Sequence, residues 1–253
     1  MVAGRIRIVI QARMNSSRLP GKIAAELAHR PMLAYTVGRL QAAARAGALP
    51  ADAWQIMVAT TAASADDVTE RLCESLEVAC FRGSESDVLG RYLAASADLA
   101  PEDTLIRATA DNPLYCPQRA AAIVAEHLAR GVDYTCIENL SYVVPEVMRV
   151  GALRQMASLA TDEHCREHVT PYFRRPDCRF RVVQLPPTWR GLRPELRLTV
   201  DTPLELARMR RLAAALDGEL LAALERVYQA CDCDSVHMAE HIERAAELRR
   251  AAA

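Results

Sequence analysis

Residues 6–22 read IRIVIQARMNSSRLPGK. Ile6 to Ile10 alternates weakly and then runs apolar, the pattern of a strand buried within a parallel sheet. Gln11 to Lys22 follows as a polar loop with the cations Arg13, Arg18 and Lys22, two serines and a Pro20-Gly21 turn signal. In a wound parallel sheet the ligand crevice lies beyond the carboxyl ends of the strands, so this loop projects into it. Arginine offers planar forks to phosphate oxygens, lysine a point charge and glycine a close backbone approach, which suits a polyphosphate. A solvated basic loop would have the same composition. The stretch is neither the usual phosphate-loop motif nor the dinucleotide fingerprint.

Outward from this segment, strands and helices alternate. Pro31 to Ala44 reads as a helix with proline in its first turn, and Trp54 to Thr60 as the second strand. Ser64 is placed to cap a helix running to Leu76, with Asp66 and Asp67 complementing its dipole. A strand at Val78 to Phe81, a helix at Asp87 to Ala97, a strand at Thr104 to Ala108, a helix at Pro117 to Ala129 and a strand at Asp133 to Ile137 continue the order. Tyr142 to Arg149 looks extended, Gly151 to Ala160 and Asp162 to His168 helical, and Phe180 to Leu185 and Glu195 to Val200 strand-like. Helices are expected at Pro203 to Leu216, Leu220 to Ala230 and Ser235 to Arg250. The fold class is therefore α/β, a Rossmann-like, mainly parallel sheet flanked by helices, with a helical C-terminus. Without an internal repeat, linker or composition break, residues 1–253 read as one domain, with 217–253 a helical C-terminal extension.

A chain of 253 residues, 51% hydrophobic and 25% charged, can bury a sizeable core. Its formal net charge of -1 provides no global field for binding nucleic acid or an anionic membrane. No stretch approaches the ~18–20 apolar residues of a membrane helix, and Ile8 to Ile10 is too short for a signal sequence, so a cytoplasmic location is expected. Eight scattered cysteines then suggest reduced thiols. Cys231-Asp232-Cys233, near His237, resembles a metal cluster but lacks a second ligand pair.

Asp111 and Asp201 each stand just past an expected strand. Two carboxylates distant in sequence would meet at one crevice and suit Mg²⁺, which takes a few carboxylate oxygens beside waters and substrate phosphates. Both also qualify as helix caps before Pro113 and Pro203, and one residue can do both. His164 and His168 lie four apart on a helix without the glutamate of a zinc-protease motif. Trp54 and Trp189 read as packing residues. Leu220, Leu221, Leu224 and Val227 form a stripe that suits either core packing or contact with a second copy in a homodimer.

The loop from Ile10-Gln11-Ala12-Arg13 through Lys22 resembles the signature of the nucleotidyltransferases that activate acidic sugars with CTP, such as CMP-KDO and CMP-acylneuraminate synthetases. It is nearer still to the spore-coat polysaccharide cytidylyltransferases. VATT (58–61), FRGSESDVLGRY (81–92), RATADNPL (107–114), REHVTPY (166–172) and LTVDTPLEL (198–206) follow in that family's order. The resemblance implies a Mg²⁺-dependent transfer of CMP from CTP to a small acidic sugar or phosphate-bearing acceptor, with Asp111 and Asp201 as metal ligands. It puts Arg13, Arg18 and Lys22 on the triphosphate, with Gln11, Ala12 and Ser17 beside them. Ala59, Thr60, Thr61, Gly83, Ser84, Asp87, Arg91 and Thr109 fall around the nucleotide, and Arg107, Glu146, Arg166, His168 and Tyr172 around the acceptor. Relatives carry a longer acceptor loop between the strand near Tyr134 and the helix near Gly151; here Pro145-Glu146 retains part of it. Two other readings remain: a glycosyltransferase, which wants an Asp-x-Asp where Ala110-Asp111-Asn112 has one acid, and a nucleotide-binding regulatory protein that has lost catalysis.

Overall fold

The computed structural model describes residues 4–47, 53–138 and 142–234. The opening strand, β1 (Ile6–Gln11), is central and buried on both faces. Ile6, Ile8 and Ile10 face one apolar cluster and Val9 the other, as the period of two requires. β1 pairs in parallel with β4 (Trp54–Thr61) on one side and β6 (Thr104–Thr109) on the other. β5 (Ala79–Gly83) extends the parallel array beyond β4.

Beyond β6 the sheet becomes mixed. β8 (Glu146–Arg149) runs antiparallel between β6 and β7 (Tyr134–Ile137), and β9 (Val182–Leu185) pairs in parallel with β7, giving the order β5-β4-β1-β6-β8-β7-β9. A separate hairpin of β2 (Glu26–Leu27) and β3 (Arg30–Pro31), unsuspected from the sequence, leads into α1 (Met32–Ala46). Two-residue strands are too short to show a period.

The face lined by β1's isoleucines packs against α1, α4 (Pro117–Arg130), α7 (Pro203–Ala215) and α8 (Leu224–Cys233); the other packs against α3 (Val88–Ala94), α5 (Val150–Leu159) and α6 (Glu163–His168). Tyr92 of α3 is fully buried and donates its hydroxyl to Ala108 O at 3.1 Å, tying that layer to β6. At the other end, Arg7 crosses to Asp98 and to Ala95 O beyond α3.

Three expectations need correction. Ser64 caps nothing: Ser64–Asp66 is a 3-10 turn and α2 (Asp67–Ser75) starts after it without a side-chain cap. Glu195 to Val200 is not a strand. Pro194 lacks a donor, Leu196 N–H turns back to Arg193 O (3.1 Å), and Val200 N–H reaches Asp111 O (2.9 Å). Residues 217–223 are not helical either, because Arg39, a fully buried residue of α1, holds Leu220 O and Ala222 O at 2.9 Å each and fixes that segment as a loop. Leu224 and Val227 of the C-terminal stripe are core, and Leu221 is exposed. The helix expected at 235–250, and His237, lie outside the described residues. Among the described residues no helix is long and apolar enough to cross a membrane. All eight cysteines are free thiols.

Candidate active site

The carboxyl ends of β1, β4 and β6 are level, since Gln11 is in register with Ala59 and with Thr109. The 12–22 loop folds over these ends. Ser16 N–H and Gly21 N–H both close on Met14 O, at 2.9 and 2.8 Å, and Gly21 takes a left-handed φ of 74°, which glycine adopts without strain. Its anchor is Asp66, a fully buried carboxylate that accepts Met14 N–H (2.8 Å), the Thr69 hydroxyl (3.0 Å) and the Thr61 hydroxyl. Burial alone would raise the Asp66 pKa, but these donors outweigh it and hold the carboxyl below its usual range. The position of Asp66 in a first helical turn suggests a helix-dipole role, and nothing local to it in sequence reveals that it accepts from Met14 N–H.

Asp111 and Asp201 come together because their backbones are joined. Val200 N–H donates to Asp111 O, and Glu205 accepts Asp201 N–H (2.8 Å) and Thr202 N–H (2.9 Å) within the capping box that starts α7. Thr202, not Asp201, caps α7, and Cys116 rather than Asp111 holds the cap position of α4, so neither aspartate is used as a cap. Their carboxylates converge on the Lys22 ammonium, at 3.1 Å from Asp111 Oδ2 and 2.9 Å from Asp201 Oδ1. Arg18 pairs with the other oxygen of Asp201 at 3.0 Å, and Arg197 lies 3.3 Å from it. Burial pushes the Asp201 carboxyl up, but Lys22 first, then Arg18 and Arg197, bring it below the ordinary value.

These groups wall a cleft of roughly 290 Å³ lined by Gln11, Ala12, Arg13, Ser17, Arg18, Lys22, Arg107, Thr109, Asp111, His168 and Asp201. Ser16, Ile23, Val88, Ala110 and Glu167 line it too and were not singled out by sequence. Arg13 is half-buried and makes no hydrogen bond or ion pair among the described residues. His168 is half-exposed on the rim; partial desolvation chiefly, opposed by Glu167 and helped by His164 and Arg107, keeps its pKa below normal.

The other expected residues do not line the cleft. Ala59, Thr60 and Thr61 are fully buried at the end of β4. Gly83 lies against the stem of buried Arg91, which donates to Ser84 O at 2.7 Å. Asp87 caps α3 through Gly90 N–H (2.9 Å) and pairs with Arg166 at 3.3 Å. Tyr172 packs edge-on against Phe180 beneath the Arg175 guanidinium. Glu146 is buried and accepts from Arg107 (2.7 Å), Thr170 (3.1 Å), Tyr134 and Arg174. Burial would raise its pKa, but the two guanidiniums more than compensate and keep it ionised. Its reach to the cleft is thus through Arg107.

Among the described residues no three His, Cys, Asp or Glu side chains gather around a metal position. Cys231 is buried, which pushes its thiol up to about 12 and leaves it a poor metal ligand.

A family model described as cytidylyltransferase matches residues 7–240. The spore coat polysaccharide biosynthesis protein SpsF of Bacillus subtilis (strain 168) is 34% identical over 199 residues, covering 78% of this chain and 81% of that protein. Two solved structures share the fold. A cytidylyltransferase from Leptospira borgpetersenii has a TM-score of 0.80 at 24% identity, covering 91% of this chain and 94% of its own. A CMP:2-keto-3-deoxy-manno-octonic acid synthetase complexed with CTP has a TM-score of 0.60 at 19% identity, covering 83% and 98%. By the extent of the family match and the identity to its relative, the chain belongs to the cytidylyltransferase family, enzymes that transfer nucleotidyl groups.

Proposed function

We propose that this protein is a Mg²⁺-dependent cytidylyltransferase. It joins CTP to an acidic sugar, or to a related acceptor bearing a phosphate or phosphonate, and releases pyrophosphate. The observation that carries this reading is the meeting of Asp111 and Asp201 at one cationic point within a cleft walled by Arg13, Arg18 and Arg107. Family membership supports cytidine as the base, and likeness to a protein named for spore coat polysaccharide biosynthesis supports a role in making surface polysaccharide or glycoconjugate precursors.

The acceptor hydroxyl oxygen bonds to the α-phosphorus as the bridging α–β bond breaks, its proton passes to solvent, and pyrophosphate leaves in line. Nothing covalent forms on the protein. Arg13, with its donors free, and Arg18, on the exposed rim, oppose the charge that grows on the departing group. Arg107 has one nitrogen held by Glu146 and presents its guanidinium on the cleft wall, where an acceptor carboxylate or phosphate would meet a positioned cation.

Asp111 and Asp201 would hold Mg²⁺. The donor set fits, because two carboxylates within 3.1 Å of a common point are the few hard oxygens this ion takes from protein when phosphates complete its shell. When bound it supplies Lewis-acid polarisation of the phosphoryl oxygens.

Pyrophosphate release, measured with each of four nucleoside triphosphates against 2-keto sugar acids, sugar phosphates and phosphonates, tests the proposal. Release should require CTP, Mg²⁺ and an acidic acceptor together. CTP binding without turnover across the panel would favour a regulatory protein, and release of a nucleoside diphosphate from a nucleotide sugar would favour a glycosyltransferase.

A further inference from the structure

An ammonium has three N–H donors, and those of Lys22 are all engaged: Asp111 Oδ2 at 3.1 Å, Asp201 Oδ1 at 2.9 Å and Val200 O at 2.9 Å. A phosphate oxygen approaching Lys22 in this arrangement finds no hydrogen to accept. A divalent ion approaching the two carboxylates finds the point between them taken. The side chains of Asp111 and Asp201 are 27% and 14% exposed, so without a cation between them two largely desolvated anions would face each other. One position is therefore in demand from two cations, and Lys22 cannot hold the aspartates and grip a triphosphate at the same time.

The composition sharpens the point. Lys22 is the only lysine in the sequence, every other basic residue counted with it being arginine. A guanidinium is a broad planar fork, whereas an ammonium is a compact point charge on a flexible four-carbon stem, and thus the side chain whose charge most resembles a small cation. Its backbone lies in the 3-10 turn Lys22–Ala24, held in place by the loop bonds of Gly21, so the stem can swing while the turn stays fixed.

We propose that Lys22 is the internal counter-ion of the divalent-cation site. Its ammonium and the metal are alternative occupants of the point between Asp111 and Asp201. Entry of the metal releases Lys22 into the cleft, where its three donors become available to the phosphates of the nucleotide. This rests on Asp111 and Asp201 being the metal ligands. Exchange at one position is reciprocal: whatever the ammonium costs the metal in affinity, the metal costs the ammonium in occupancy.

The test uses the full chain with Mn²⁺ as the probe and no nucleotide. Electron paramagnetic resonance counts free Mn²⁺ over the wild type and Lys22→Met, which keeps the apolar stem and removes the charge. Lys22→Met should bind Mn²⁺ about tenfold more tightly or better, a difference near 1.4 kcal/mol. A second arm needs no variant. Lysine labelled with ¹³C and ¹⁵N marks this one residue, and saturating Mg²⁺ should move its Nζ signal toward that of a solvated lysine and speed exchange of its hydrogens. Equal Mn²⁺ affinity in the two proteins, or a lysine signal that stays in place while Mg²⁺ saturates the protein, would overturn the exchange and leave the metal ligands standing. Failure of both proteins to bind Mn²⁺ would remove the metal ligands and the exchange together.

Discussion

Arg13 and Glu146 show how differently two charged side chains serve one cleft. Arg13 is half-buried with no partner among the described residues, so its charge is available to a ligand and contributes little to folding. Arg13→Ala should lower kcat/KM for CTP about 10- to 100-fold, the range of one charge-assisted hydrogen bond, with an almost unchanged melting temperature. Steady-state kinetics and a thermal scan on the same preparation check both halves. Glu146 is the converse case. Glu146→Gln leaves Arg107 and Arg174 without their counter-charge, and should destabilise the protein by roughly 3–5 kcal/mol in urea unfolding while raising KM for the acceptor more than for CTP. The cations of the 12–22 loop and Asp111 could be found from sequence because they follow β1 and β6; Asp201 was reached through the apolar alternation of residues 195–200, which is a core-facing loop and not a strand. The family resemblance implied Glu146 as an acceptor-side acid, but nothing in the sequence marked it as the buried support of Arg107, since that depends on β8 lying antiparallel beside β6.

Elements set the positions of these side chains through their ends. The capping box of α7 fixes Asp201 through Glu205, so Thr202→Ala should cost about 1 kcal/mol of stability and also weaken Mn²⁺ binding, which calorimetry and metal titration would report separately. On the opposite end of the sheet, α4 carries a buried histidine that titrates far from the site. His127 packs against Thr135 of β7 with a 2.9 Å contact from Nδ1, and burial chiefly, helped by Arg149 and opposed by Asp133, lowers its pKa to about 4. The unfolded chain protonates this imidazole near pH 6.5, the folded one near 4. The stabilisation is thus complete above about pH 6.5 and is lost as the pH falls to about 4, at up to about 1.4 kcal/mol per pH unit. Urea midpoints of wild type and His127→Gln should show that slope in the wild type and a shallower one in the variant; parallel profiles would mean the imidazole is already protonated in the native state. Strand–helix alternation was readable here because β1, β4 and β6 are long and apolar. Glu195 to Val200 was misread because its apolar alternation, Leu196, Leu198 and Val200, is that of a core-facing loop.

Across the whole molecule, the site is made by topology. β1 and β6 bring the 12–22 loop next to Asp111, and the backbone bond from Val200 N–H to Asp111 O brings in a segment from beyond β9. The sequence exposed the parallel half of the sheet, β5-β4-β1-β6, because each of its strands is followed by a helix in the usual alternation. It did not expose the insertion of β8, since a four-residue strand after a short connection carries no signal of its direction. Asp111 and Asp201 both contact the Lys22 ammonium, which supports the proposal that they share one cation. The most direct measurement is pyrophosphate release from CTP, with Mg²⁺ and an active acceptor, by the folded Asp111→Asn and Asp201→Asn variants. Each should lose at least about 100-fold in kcat while keeping its circular dichroism spectrum, in line with removing a ligand of a catalytic ion. Release at the wild-type rate by either variant would contradict a shared cation at the centre of the reaction.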